Sequence, residues 1–358
     1  MSKEIKIMVV GCGNMGSSHA RAYHKLDGFA LVGLVDKNAA ARDALSDELG
    51  GIDQFDDFDT ALIVKKPDAV AVCTYPGTHA ELTIKALKAG CHVFCEKPLA
   101  PNIADALAMV EASKTHGKKL VIGYILRVHP SWKKFIEIAQ GLGKPLVMRM
   151  NLNQQSSGKT WATHRRILES MSPIVDCGVH YVDVMCQMTR SKPVAVSAIG
   201  ARLSDQIDKD MYNYGQLQVR FEDGSIGWYE VGWGPMMSEV AFFVKDVIGP
   251  KGCVNIMDAE TGSKKGSDDI DSHTKTNRLK IHYADRDAND NFTKPDEIIN
   301  TEDEPDHQGL CDLEQQYFLN AIRNNVDLSD HLDDAVNSLK IVLACDEAVR
   351  TGKTISLS

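Results

Sequence analysis

The sequence predicts an α/β protein of two domains: a doubly wound parallel sheet, then an α+β domain built on a mostly antiparallel open sheet. Three observations carry this. Strand-like and helix-like segments alternate through residue 123, as expected of a parallel sheet covered on both faces. The opening strand, Ile5–Val10, is an apolar run interrupted only by Lys6 and followed by glycines, a composition suited to burial on both faces. After Tyr124 the alternation stops and strand-like segments follow one another. A chain of 358 residues has room for two domains, which puts them at 1–123 and 124–358.

Each element of the first domain has a local signal. A glycine loop leads into a helix over Ser17–Leu26, and Phe29–Val35 is the second strand. Asn38 caps a helix over Ala39–Leu49 that Gly50 and Gly51 end. Ala69–Cys73 and His92–Cys95 are short apolar strands, with the helix His79–Ala89 between them. A helix over Asn102–His116 stops at Gly117 and gives way to the strand Leu120–Gly123. In the second domain a helix near Ser131–Ala139 precedes a strand at Leu146–Leu152. A polar loop, Asn153–Met171, leads to a helix over Pro173–Met188. Strands follow at Val194–Ala201, Tyr214–Phe221, Ser225–Trp233 and Val240–Ile248, with a hairpin signal at Glu222-Asp223-Gly224. Lys264–Asp306 is charge-rich and reads as a solvated excursion, and helices near Leu310–Arg323 and Leu332–Arg350 close the chain.

Composition excludes several classes. The net charge of −9 disfavours nucleic acid as a partner. No stretch approaches the ~20 apolar residues of a membrane span, and glycines follow the first apolar run where a signal-peptide cleavage site would fall. The nine cysteines are odd in number and form no CxxC pair, as expected of reduced thiols in a cytoplasmic protein. Cys91-His92-x-x-Cys95 has no matching second half and lies on a strand, so no metal site is expected.

Gly11-Cys12-Gly13-Asn14-Met15-Gly16 fits GxGxxG between a buried strand and a helix. The first glycine permits the tight turn, the second lets the backbone approach a pyrophosphate, and the third lets helix and strand pack closely. Phosphates then meet the unpaired N–H groups of the helix N-terminus, which brings in Asn14 and Met15. Asp36 ends the second strand 20 residues after the last glycine, where a carboxylate accepts from ribose hydroxyls. That carboxylate repels a 2′-phosphate, so NAD is expected over NADP, with the adjacent Lys37 as a partial offset.

The segment Ala69–Ala100, AVAVCTYPGTHAELTIKALKAGCHVFCEKPLA, together with this loop resembles the glucose–fructose oxidoreductase/inositol dehydrogenase (Gfo/Idh/MocA) family. Glu96-Lys97-Pro98 follows the fifth strand at the expected place. The resemblance spans nearly the whole chain and is weakest over Lys264–Asp306. It implies a nicotinamide-binding Rossmann domain, then a domain whose open sheet often serves oligomerisation. It also implies cofactor contacts from Thr74, Tyr75, His79, Glu96 and Lys97. The family's Thr-Pro-Asn turn stands here as Thr74-Tyr75-Pro76-Gly77, with proline displaced by one. A cis Lys97–Pro98 bond is implied as well.

The second cluster is Asp176-Cys177-Gly178-Val179-His180-Tyr181-Val182-Asp183. Ser172 caps the helix and Pro173 takes its first position. Val175, Val179, Val182 and Cys186 form an apolar stripe, with Asp176, His180, Asp183 and Gln187 beside it. Asp176 and His180, four apart, are surface neighbours. The family pattern places the catalytic Asp and His on Asp176 and His180, with Asp183 structural. A histidine with a pKa of about 6.5 accepts the proton of a secondary alcohol, and Lys97 stabilises charge on the oxygen. Arg127 and His129 follow the last strand of the first domain, and Trp161, His164, Arg165 and Arg166 stand in the polar loop. These suit a sugar-like ring, and the arginine pair leaves a carboxylated sugar open.

The first functional expectation is therefore an NAD-dependent dehydrogenase of a cyclic polyol or sugar, inositol-like or pyranose-like. A glycosidase acting through transient NAD oxidation, and a non-catalytic NAD- and sugar-binding regulator, are the alternatives. Ile226, Trp228 and Val231 put large apolar side chains on both faces of one strand. That predicts a homodimer or homotetramer through the second domain's sheet.

Overall fold

The computed structural model describes residues 3–238, 244–257 and 274–357. The chain divides into two compact units, Met1–Val128 with Pro305–Val336, and His129–Glu304 with Asn337–Ser358. The division thus falls beyond residue 123, and the C-terminal helices do not all belong to the second unit. No helix among the described residues is long and apolar enough to cross a membrane.

The first unit is built on a six-stranded parallel sheet. Its strands are β1 (Ile5–Val10), β2 (Phe29–Val35), β3 (Gln54–Phe55), β4 (Ala69–Val72), β5 (His92–Cys95) and β6 (Leu120–Ile122). They lie in the order β3-β2-β1-β4-β5-β6. The helices are α1 (Asn14–Lys25), α2 (Ala39–Glu48), α3 (Phe58–Lys65), α4 (His79–Lys88) and α5 (Ile103–His116). The side chain of Asn38 accepts from the Ala41 N–H to cap α2, and Asn102 accepts from Asp105 to cap α5. Gly117, at φ 61°, ends α5 in the left-handed region. The short β3 and α3 were not expected, because two residues carry no period.

A late helix, α9 (His307–Arg323), returns to this unit. Its Phe318 joins Tyr23, Phe29, Phe94 and Leu34 in one buried cluster. The rings of Tyr23 and Phe29 meet edge-on at 4.9 Å, and those of Phe29 and Phe318 stack at 6.2 Å. Within the same packing α9 buries two polar side chains, Glu314 and Gln315.

The second unit carries a nine-stranded sheet in the order β14-β13-β12-β11-β7-β10-β9-β8-β15. Its strands are β7 (Val147–Gln155), β8 (Pro193–Ala201), β9 (Tyr214–Phe221), β10 (Ile226–Gly234), β11 (Lys245–Gly249), β12 (Gly252–Met257), β13 (Arg278–Tyr283), β14 (Glu297–Asn300) and β15 (Ile355–Ser356). The neighbours are antiparallel except β7 and β10, which run parallel at the centre. The Lys264–Asp306 stretch is not one surface excursion: its residues from 278 on supply β13 and β14, while 264–273 lie outside the described residues, as do 240–243 of the strand expected at Val240–Ile248. The helices are α6 (Pro130–Gly141), α7 (Gly158–Ile167), α8 (Val179–Thr189) and the later part of α10 (Ser329–Thr351).

Helix packing covers one face of this sheet. Gly215, Leu217, Val219 and Phe221 of β9 are buried, whereas Gln218 and Arg220 are exposed. Tyr229 of β10, in register with Leu217, points to the covered face. It stacks on Tyr181 of α8 at 5.0 Å, and Tyr181 meets the Trp132 ring of α6 edge-on at 5.8 Å. The Lys245 ammonium lies over both Trp132 and Tyr181, 5.7 and 5.6 Å from their ring centres, a cation–π placement for a buried charge.

Burial, reinforced by the charge of Glu96, pushes the Glu314 carboxyl well above the ordinary range. The folded chain therefore keeps a proton that the unfolded chain releases above pH about 4.3. This costs stability increasingly as pH rises, until the folded group itself ionises. Glu314→Gln is expected to gain stability relative to the parent as pH rises from 5 to 8, by up to about 1.4 kcal/mol for each pH unit over which the folded carboxyl keeps its proton. Urea denaturation at both pH values tests this: a difference that does not grow with pH contradicts it.

Candidate active site

Because all six strands of the first sheet are parallel, the segments after β1, β2, β4 and β5 share its carboxyl edge. The strand order reverses between β1 and β4, the position at which such sheets bind ligands. Here two backbones touch. Gly11 has φ +94°, and a Cβ on it would strike the Cys73 carbonyl after β4. A Cβ on Gly16 would strike the Gly11 carbonyl, while one on Gly13 would meet nothing within 4 Å. Gly11 and Gly16 are thus required for packing, and Gly13 keeps an open approach. No side chain caps α1, so the first-turn N–H groups stay available to an anion. This arrangement fits a dinucleotide pyrophosphate, with Asn14 exposed and Met15 half-buried beside it.

Asp36 follows β2 and faces the loop. Its Oδ2 accepts the Cys12 N–H at 2.7 Å and its Oδ1 the Asn38 N–H at 2.8 Å, which fixes the carboxylate beside the glycine loop. Burial, followed by the Asp36 charge, pushes the Cys12 thiol up to about 12. Lys37 is exposed. Arg42 on α2, which the motif does not announce, donates to the Asp36 carbonyl. Its Nε is buried without a hydrogen-bond partner among the described residues.

Thr74 and Tyr75 follow β4, and Tyr75 is 66% exposed. His79 is fully buried, so it supports the site from beneath rather than meeting a cofactor. Its ring lies between the Thr74 and Pro98 carbonyls at 2.9 and 3.0 Å. Burial pulls its pKa down, and a neutral ring donates to one of the two at a time. Glu96 is likewise buried, while Lys97 stays half-buried and the Lys97–Pro98 peptide is cis. Arg127 is not a free lining group: its guanidinium pairs with Asp334 at 3.2 Å and lies over the Tyr124 ring.

In the second unit the expected helix starts with a wide turn, Ile174–Gly178, that runs into α8. Such π-type turns recur at functional sites. Ser172 Oγ accepts from the Val175 N–H at 3.2 Å and donates to Asp346 Oδ1 at 2.7 Å. The Tyr212 hydroxyl donates to the same oxygen at 2.5 Å. Gly178 presses on Tyr229, where a Cβ would come within 2.9 Å of the ring. Asp176 and His180 are half-buried on this element. Asp183 is buried and accepts from Gln187 at 3.0 Å.

Residues 153–171 are not a polar loop: β7 runs to Gln155, and α7 covers 158–167. Trp161 and His164 are therefore packed inward, at 6% and 8% exposure. Trp161 donates to Gln206 at 2.9 Å. His164 lies 3.0 Å from Ser156 Oγ and stacks on Trp233 at 4.3 Å. Arg165 is half-buried and Arg166 exposed. His129 is fully buried, and neither ring nitrogen has a hydrogen-bond partner among the described residues. Burial, with Glu304 opposing and Lys245 assisting, pulls its pKa down to about 4. Gln154 was not foreseen. It accepts from Trp233 Nε1 at 2.6 Å and faces the Cys177 thiol at 3.9 Å, tying the ends of β7 and β10 to the wide turn.

Two family models match the chain: the NAD-binding Rossmann fold of the GFO/IDH/MocA oxidoreductase family over residues 5–124, and that family's C-terminal domain over 133–252. The chain belongs to the GFO/IDH/MocA oxidoreductase family. This oxidoreductase is 25% identical to D-glucoside 3-dehydrogenase of Escherichia coli over 70% of its length and 76% of that protein. It is 28% identical to myo-inositol 2-dehydrogenase of Thermotoga maritima over 62% of its length and 67% of that protein. Scyllo-inositol dehydrogenase of Lactobacillus casei, solved with NAD(H) and scyllo-inositol, superposes with a TM-score of 0.77 at 24% identity, covering 99% of each chain. The WlbA dehydrogenase of Bordetella pertussis, solved with NADH and UDP-GlcNAcA, does so at 0.77 and 21%, covering 99% of each chain. At these identities the two structures bear on the fold.

The cofactor of this family member is NAD, and the Asp36 geometry allows a test of its selectivity. Asp36→Ala is expected to raise KM for NAD about tenfold and to narrow the preference over NADP, with the rate of hydride transfer little changed. Steady-state kinetics with both cofactors and single-turnover rates measure this; an unaltered NAD/NADP ratio would exclude Asp36 from the discrimination.

Proposed function

We propose that this chain is an NAD-dependent dehydrogenase that oxidises a secondary hydroxyl of a cyclic polyol or sugar, inositol-like or pyranose-like. One contrast carries the reading. Asp183 and Gln187 of α8 are buried and bonded to each other, whereas Asp176 of the wide turn and His180 of α8 retain exposure. In the first unit Lys97 keeps exposure in the same way, while its neighbour Glu96 is buried.

NAD, when bound, supplies the acceptor for the hydride that leaves the carbinol carbon. His180 takes the hydroxyl proton on a ring nitrogen as the carbonyl forms. The Lys97 ammonium stabilises the charge that builds on the oxygen. Asp176 accepts from substrate hydroxyls and orients the ring. The alcohol loses one hydride and one proton, so the balance needs no further reactant. Relatives named for inositol and for a glucoside support a cyclic polyhydroxylated substrate.

We propose that the active form is a homodimer or homotetramer through the open face of the second unit's sheet. Ile226, Val147 and Ile248 stand in register across β10, β7 and β11. Ile226 and Ile248 are 46% and 40% exposed, and Ile199 of β8 is 65% exposed. An apolar row left exposed on this sheet face among the described residues calls for a cover.

NADH formation over a panel of inositols, aldoses, methyl glucosides, anhydrosugars and uronates tests the substrate class. Sugar release without NADH would instead identify a glycosidase. His180→Ala is expected to lower kcat about 10²–10⁴-fold with NAD affinity nearly unchanged by titration calorimetry. Near-normal turnover in the folded variant removes His180 from the base role. Light scattering is expected to give a multiple of the 39.3 kDa chain mass; a monomeric mass at assay concentration contradicts the assembly.

A further inference from the structure

Inside the first unit a chain of hydrogen bonds ends on Glu96. The Tyr23 hydroxyl donates to Gln315 Oε1 at 2.5 Å. With its oxygen so used, Gln315 directs Nε2 to His19 Nδ1 at 2.8 Å. The network assigns the proton of a neutral His19 ring to Nε2, which donates to Glu96 Oε1 at 2.6 Å. The other carboxylate oxygen accepts the Lys97 N–H at 3.1 Å. His19 and Gln315 are fully buried, and Phe94 meets the His19 ring edge-on at 4.7 Å. His19, Cys311 and Glu314 also bring ligand atoms within 4.8 Å of one another, but both His19 nitrogens are already engaged, which weighs against a metal there.

Burial alone would raise the Glu96 carboxyl. The His19 ring, the Lys97 charge and the Lys97 N–H reverse this and hold it below the ordinary range. The other titratable groups that face it are Tyr23, Cys73, His79, Cys95, Cys311 and Glu314. Burial shifts each of these toward its neutral form. Glu96 is therefore a fixed anion with both oxygens engaged, and it directly precedes Lys97.

We propose that Glu96, held by His19, is the positioning residue for Lys97: it fixes the lysine's main chain through the Lys97 N–H and sets a carboxylate charge that acts on its ammonium. The proposal rests on Lys97 acting at the reacting oxygen. Its test therefore includes a readout that needs no substrate.

Competitive labelling of Lys97 with a small amine reagent across pH, read by mass spectrometry, reports the lysine's pKa. Removing a neighbouring anion lowers a lysine pKa. Glu96→Gln is expected to lower that of Lys97 by about one unit, about a tenfold change in the neutral fraction. It is also expected to lower kcat about tenfold or more, with KM for NAD within about threefold. Glu96→Asp should restore the pKa and part of kcat. His19→Ala should act in the same direction as Glu96→Gln, and His19→Gln, whose amide reaches the same oxygen, should reverse it. If Glu96→Gln does not fold, the His19 pair carries the test. An unchanged Lys97 pKa in the folded variants overturns the proposal. A shifted pKa with normal turnover in both Glu96→Gln and Lys97→Ala upholds the coupling and removes Lys97 from the chemistry.

Discussion

The first unit depends on how closely two backbones approach at the reversal point of its sheet. The loop after β1 has to pass the segment after β4, and the start of α1 has to pass the loop itself. Side chains at Gly11 and Gly16 would collide with carbonyl oxygens at both passes. Once that contact is made, the N-terminus of α1 points at the carboxyl edge of the sheet and the Cys12 N–H reaches Asp36. The same approach sets the depth of Thr74 and hence of the His79 ring beneath it. A loop that serves an anion is thus first a packing solution, and Gly13 alone of the three glycines is free of it.

The second unit solves a different problem, holding polar residues at the edge of a core. The wide turn before α8 is fixed at one end by Ser172, Asp346 and Tyr212 and at the other by Gly178 on Tyr229. Asp176 and His180 are displayed from an element whose remaining side chains are committed to packing. The two buried carboxyls of the first unit divide similarly. Glu96 keeps its charge because donors surround it, whereas burial, reinforced by the charge of Glu96, pushes the Glu314 carboxyl up.

What the sequence discloses follows contact range. The glycine loop, Asp36 and the cap at Asn38 are local events within a few residues or one βα turn, and each is readable as a spacing. The Asp176–His180 pair is readable as a helical period, and the family resemblance adds its role. The His19–Gln315 contact joins residues 296 apart, and nothing in either neighbourhood marks it. Trp161 and His164 look like loop residues because their segment is polar. They are buried because α7 (Gly158–Ile167) turns them inward. The parallel β7–β10 pair likewise escapes a strand-by-strand reading, since direction is set by the long connection and not by the strands.

The return of α9 to the first unit has a consequence for synthesis. The ribosome delivers β1 to β6 long before Pro305, yet those strands lack the helix that supplies Phe318 and Gln315. Domains generally fold in the order in which they emerge, but this one emerges unfinished. Until about the last seventh of the chain follows, Tyr23 and Phe29 lack their cover and His19 lacks the amide that sets its ring proton. The unit's final closure is timed by the C-terminal helices and not by its own strands.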